Sequence, residues 1–203
     1  LWFGGPPVST LRFNTWQNTG GTEAATASEV SAYSFTESGL KPISSATFTA
    51  ASAVSFPAGT FTTDYTKYHV VFTCRCSVSG ATLGVQANAS GSPLTGSNYY
   101  GFTHQVRLNT SVVNTAATSH SLMALNASSA LQLQCAFAID VIDPANASNK
   151  TAWHGTYFGH NTSSQYDTGA TGCGLNITDS CDGFTMTPST GTITGEYSVY
   201  AYV

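Results

Sequence analysis

The sequence predicts an all-β protein of antiparallel strands, and three observations carry that expectation. Apolar and polar side chains alternate with period two along most of the chain from Glu29 onward. No stretch carries the apolar spacing of an amphipathic helix. Clusters of Gly, Pro, Asn and Asp, such as Gly91-Ser-Pro and Asp143-Pro144, punctuate the alternating runs. About eight to ten short strands with loops of moderate length describe a β-sandwich of the jelly-roll kind.

Taken in order, the first 28 residues differ from the rest. Leu1, Trp2 and Phe3 precede Gly4-Gly5-Pro6-Pro7, which blocks regular structure. A short strand is expected over Leu11 to Trp16, before a Gly/Thr/Ala-rich stretch. Residues 1–28 read as an arm whose apolar residues Leu1, Trp2 and Phe3 either dock on another protein or fold back on their own domain. Residues 29–203 read as the sandwich.

The clearest strand is "YHVVFTCRCSV", with Tyr68, Val70, Phe72, Cys74, Cys76 and Val78 on one face and His69, Thr73, Arg75 and Ser77 on the other. In "LQLQCAFAIDVID", Leu131, Leu133, Cys135, Phe137, Ile139 and Val141 point one way, and Gln132, Gln134 and Asp140 the other. Fainter strands place Phe48, Val54 and Phe56 together, then Leu83, Val85 and Ala87, then Tyr100, Phe102, Val106 and Leu108. Trp153 and Tyr157 share a face further on. The final strand is apolar on both sides: Tyr197, Val199, Ala201 and Val203 line one, and Ser198, Tyr200 and Tyr202 the other.

Composition excludes several function classes. Only 8% of the 203 residues are charged, against roughly 25% in an average globular protein, which is too few for a coiled coil. Six Lys and Arg spread over the chain make no basic stripe, so nucleic acid is not an expected partner. No run approaches the ~18 apolar residues of a membrane span, so no membrane insertion is expected. Because the chain opens on Leu1 rather than Met, it is expected to be a processed or internal piece of a longer product.

Motifs of chemistry are sparse. Cys74, Cys76 and Cys135 fall on apolar faces and read as buried free thiols; Cys173 and Cys181 either remain free or close a short disulfide. His69, His104, His120, His154 and His160 form no metal-binding spacing. His104, on the face of Tyr100 and Phe102, is expected in the core or an interface. There is no G-x-S-x-G elbow and no phosphate loop. Acids distant in sequence, among them Asp140, Asp143, Asp167, Asp179 and Asp182, could converge as a glycosidase pair, but structural places account for Asp140, Asp143 and Asp182. No catalytic residue, metal or cofactor is expected. Seven N-x-S/T sequons matter only on a eukaryotic secretory route.

Three passages carry a resemblance. "TFTAASAVSFPAGTFTTDYTKYHVVFTC" holds Phe61, Asp64, Tyr65, Tyr68, Val70, Val71 and Phe72 in a phrase similar to one in phage virion proteins. "NASNKTAWHGTYFG", from Asn146, resembles the middle of the same proteins. "DGFTMTPSTGTITGEYSVYAYV" resembles their ending through Asp182, Gly183, Phe184, Gly191, Ile193, Thr194, Gly195, Val199, Tyr200 and Tyr202. From about residue 43 onward the chain thus resembles tail-fibre, receptor-binding or head-surface proteins of tailed bacteriophages. It departs from them in the arm and in ending on Val203 rather than a basic residue.

The resemblance implies a jelly roll related in architecture to tumour-necrosis-factor and complement-type heads, commonly trimeric, on the virion surface. It implies a non-enzymatic tail-fibre or receptor-binding head that contacts the host. The alternatives are a capsid decoration or head-fibre protein that grips the shell with its arm, and a lectin or capsule-degrading enzyme of the same fold. Expected partners are sister copies, other virion proteins and host surface glycan. Tyr200 and Tyr202, with Tyr197 and Val199 on the opposite face, are the expected oligomer strand; Tyr99 and Tyr100 in "GSNYYG" are the expected glycan contacts or else core residues.

Overall fold

A computed structural model describes residues 15–17, 23–26, 39–78, 81–107, 113–117, 125–126, 135–160 and 166–203. The chain divides into two compact units, Leu1–Glu37 and Ser38–Val203. In the first, β1 (Thr15–Gln17) and β2 (Glu23–Thr26) pair as an antiparallel ribbon. The expected docking residues Leu1, Trp2 and Phe3, and the expected boundary after residue 28, lie outside the described residues.

The second unit is all-β. Its strands are β3 (Leu40–Ala51), β4 (Val54–Ser55), β5 (Lys67–Cys76), β6 (Thr82–Ala89), β7 (Ser92–Pro93), β8 (Tyr99–Arg107), β9 (Val113–Ala117) and β10 (Leu125–Asn126). These are followed by β11 (Cys135–Ile142), β12 (Ala152–His160), β13 (Tyr166–Leu175), β14 (Gly183–Pro188) and β15 (Ile193–Tyr202). Seven strands form the larger sheet in the order β3-β15-β5-β11-β12-β13-β8, with β9 extending its edge. Four strands, β4, β14, β6 and β7, form a smaller curled sheet that β10 extends. The two-residue β4, β7 and β10 carry too few side chains to announce themselves by alternation, which is why the expected strand count falls short.

All pairings are antiparallel, and four of them are nested: β3 with β15, β4 with β14, β5 with β11 and β6 with β10. Within β5 and β11 the alternation is realised, whereas Val78, read on the same face, lies past the end of β5 and is exposed, and Leu131 and Leu133 lie outside the described residues. Tyr68, Val70, Phe72, Cys74 and Cys76 are buried, as are Cys135, Phe137, Ile139 and Val141. Directly opposed Phe72 and Phe137 stack with ring centroids 4.9 Å apart. Across the core, Phe184 of β14 meets Trp153 of β12 at 5.2 Å and Phe61 at 5.1 Å. Each fully buried side chain of this size contributes about 1.5–3 kcal/mol of apolar burial.

Two core tyrosines keep their hydroxyls satisfied by clasping loop backbone. Tyr68 donates to the Thr62 carbonyl at 3.0 Å and accepts from the Thr62 amide at 2.7 Å. Tyr99 donates to the Leu94 carbonyl at 2.9 Å and accepts from the Ala87 amide at 3.1 Å. Burial, the dominant effect, pushes the Tyr99 phenol above its ordinary range.

Candidate functional site

The last strand, β15, lies between β3 and β5, so it is an inner strand of the larger sheet. Tyr197, Val199 and Ala201 enter the core of their own chain. This half of the expected oligomer strand is therefore covered without any partner. Tyr200 is half-buried and Tyr202 exposed, both on the outer face of the sheet. Tyr200 borders a hollow of about 260 Å³ over β3 and β15, floored by Ser44, Ser45 and Ser198.

Tyr202 belongs to a polar knot that sequence reasoning missed. The register sets Asp140 of β11 opposite His69 of β5, and β15 brings Tyr202 alongside. Lys67 Nζ donates to Asp140 Oδ2 at 2.9 Å, the Tyr202 hydroxyl donates to Oδ1 at 2.8 Å, and His69 Nδ1 stands 2.8 Å from the same oxygen. Lys67 also rides over the Tyr202 ring, 4.2 Å from its centroid. Partial burial alone pushes the Asp140 carboxyl up; the three hydrogen bonds outweigh it and bring the group to about 2. The hydrogen bond to Asp140 raises the Lys67 ammonium, and burial followed by that same carboxylate raises the Tyr202 phenol. A carboxylate held by three donors is a poor proton acceptor at neutral pH. The knot is a clamp across β5, β11 and β15. Its signal in the sequence was the outward parity of His69 and Asp140; the register joining them comes only with the sheet.

A second feature occupies the other end of the outer face. Tyr100, Phe102, His104 and Val106 of β8 are exposed, Phe102 at 56%. The shared face expected for Tyr100, Phe102 and Val106 is thus realised, turned outward; Leu108 lies outside the described residues, and of the two places expected for His104 the core is excluded. Among the described side chains of β8, Tyr99 is the one fully buried, with no exposure at all, so it is not available to a glycan. Tyr100 remains at the surface, its hydroxyl accepting from Asn176 Nδ2 at 3.2 Å. Beside this ridge β13 offers only Thr168, Ala170, Gly172 and Gly174, opposite Val106, His104, Phe102 and Tyr100. The Phe102 ring lies against Gly172 so closely that an added Cβ would sit 2.7 Å from it.

Together these features give the outer face its character. Among the described residues, Leu40, Tyr100, Phe102, Val106, Ile142, Phe158 and Tyr202 are exposed and outward, and of the other large apolar side chains only Val78 and Val203 are exposed. Of the described charged groups at its centre, Lys67 and Asp140 neutralise each other. Tyr100, Phe102 and Val106 share one face of β8, and exposed apolar side chains gathered on a sheet face in this way make it a candidate interaction surface.

The five cysteines are free and buried, Cys173 and Cys181 included. Asn88, in one of the sequons, is buried and accepts from Thr185, so it is not a surface acceptor. No protein-family model matches the chain, and no curated protein matches it either.

Proposed function

We propose that this chain is a non-enzymatic structural protein of a tailed-phage virion: a homotrimeric tail-fibre or receptor-binding head displayed on the particle surface. The observation that carries the reading is the outer face of the larger sheet. It holds a broad set of exposed apolar residues on a rigid scaffold with few charges, which suits packing against sister copies. The hollow beside Tyr200 gives a neighbouring chain's side chain a seat.

The nested pairing supports the finer fold assignment. Pairing first with eighth, second with seventh, third with sixth and fourth with fifth is a long hairpin rolled upon itself, the arrangement of a jelly roll. In this reading β8, β9, β12 and β13 are insertions that widen one sheet, and the aromatic ridge of β8 is what the widening presents. Tyr100, exposed at the rim, is the residue through which a host glycan would be touched by ring stacking.

The test is to label purified particles with antibody against residues 38–203 and image them. Label at the tail is expected. Label over the capsid would move the protein to a decoration role, and infected cells that hold the protein while particles carry none would refute the proposal.

A further inference from the structure

We infer that Cys74 and Cys135 are a latent cross-strand disulfide, a modification site that staples β5 to β11 when the protein meets a small oxidised thiol such as glutathione disulfide. This inference stands independently of the virion proposal.

The two residues are directly opposed in the β5–β11 register. Their Sγ atoms lie 3.3 Å apart, in contact and aimed at each other, and the Cys135 thiol donates to the Cys74 carbonyl at 3.2 Å. Opposed residues on antiparallel strands have Cα atoms about 4.5–5.5 Å apart, inside the window a disulfide spans. Cys76 neighbours Cys74 along the strand, but i and i+2 positions stand about 6.6 Å apart, at the upper limit. The cross-strand partner is therefore the favoured one.

The surroundings fix the pair. On the inner side, the stacked Phe72 and Phe137 occupy the next inward-facing register position. On the other flank, β15 places Gly195 opposite Cys74, with no side chain to intervene. Cys135 opens β11 and is 9% exposed, whereas Cys74 is 1% exposed, so the oxidant enters at Cys135.

The chemistry balances in two exchanges. The Cys135 thiolate attacks one sulfur of the glutathione disulfide, forming a mixed disulfide and releasing one glutathione thiolate. Cys74, having lost its proton to solvent, then attacks the Cys135 sulfur and releases the second. Two protein thiols are oxidised and one small disulfide is reduced to two thiols. Cys74 is held strongly in its thiol form, first by its contact with Cys135, then by Cys76 and burial.

The experiment exposes the reduced chain to glutathione disulfide at mildly alkaline pH, blocks remaining thiols, and maps disulfide-linked peptides by mass spectrometry. A single link between the Cys74 and Cys135 peptides is expected, with a melting midpoint higher by roughly 5–10 °C that reductant reverses. Cys135→Ser should gain neither link nor shift, while Cys173→Ser with Cys181→Ser should behave as the unmodified chain. Because a misfolded variant would also lack the link, the map of the unmodified folded chain decides by itself. Retention of all thiols, a persistent glutathione adduct, or a link through Cys76, Cys173 or Cys181 would overturn the inference.

Discussion

Two regions of one sheet obey the same alternation with opposite sign. In β5 and β11 the buried positions are apolar throughout, and the outer positions mix Val71 and Ile142 with Thr73, Ala136, Ala138, His69 and Asp140. In β8 the bulky apolar positions face outward, Phe102 most of all, while Gly101 and Thr103 sit on the inner side with Tyr99. What lies across from each explains the difference. Beneath the centre, side chains of the smaller sheet fill the core against long apolar residues. Beneath β8, the inward space is taken by its neighbours; a Cβ added to Gly101 would sit 3.3 Å from Cys173 Sγ. Periodicity reports which residues share a face, and the facing layer decides which face is buried. An apolar face with no layer of the described residues across it is, in the proposed reading, where a sister copy packs.

The comparison can be broken most sharply at Trp153, buried at 1% and wedged against Tyr99 and Phe184. Trp153→Ala should cost about 3–5 kcal/mol in urea unfolding, through lost burial and the cavity left behind. A loss under 1 kcal/mol would mean that β12 does not pack as described.

A smaller effect is expected at the polar knot. Asp140→Asn should cost about 1 kcal/mol at neutral pH, since partial exposure screens the clamp. The sign with pH follows from a carboxyl held below its unfolded value. The contribution is complete above about pH 4 and fades as pH falls toward 2. Unfolding curves of the two proteins should therefore converge in acid, and a difference undiminished at pH 2 would contradict the clamp.

The smallest effect on the fold belongs to the ridge. Phe102→Ser should leave single-chain unfolding within about 0.5 kcal/mol while weakening self-association. A cost approaching that of Trp153→Ala would make the ridge part of the core and reverse its assigned sign.

The sequence reading placed the centre of the molecule well, because β5 and β11 alternate over eight or more residues and face one core. It separated the two faces of β15 as well, and the structure shows that the one bearing Tyr197 and Val199 is buried. It left β8 open, where Tyr99 and Tyr100 stand next to each other and either could have been the inward one; parity leaves that choice to the packing of β12 and β13. The Asp140 knot was illegible for a different reason. Its members come from three strands, and Lys67, His69 and Asp140 meet only once the β5–β11 register is set. The Cys74–Cys135 contact has the same origin: the sequence marked both thiols as inward, and only the register makes them neighbours.

The most direct test of the account is the molar mass of the folded chain in solution, by light scattering on a size-exclusion column. Three chain masses for the unmodified protein, falling to one for Phe102→Ser, is the predicted result. A single chain mass for both at concentrations well above micromolar would show that the outer face needs no sister copy, and would contradict the claim on which the proposed function rests.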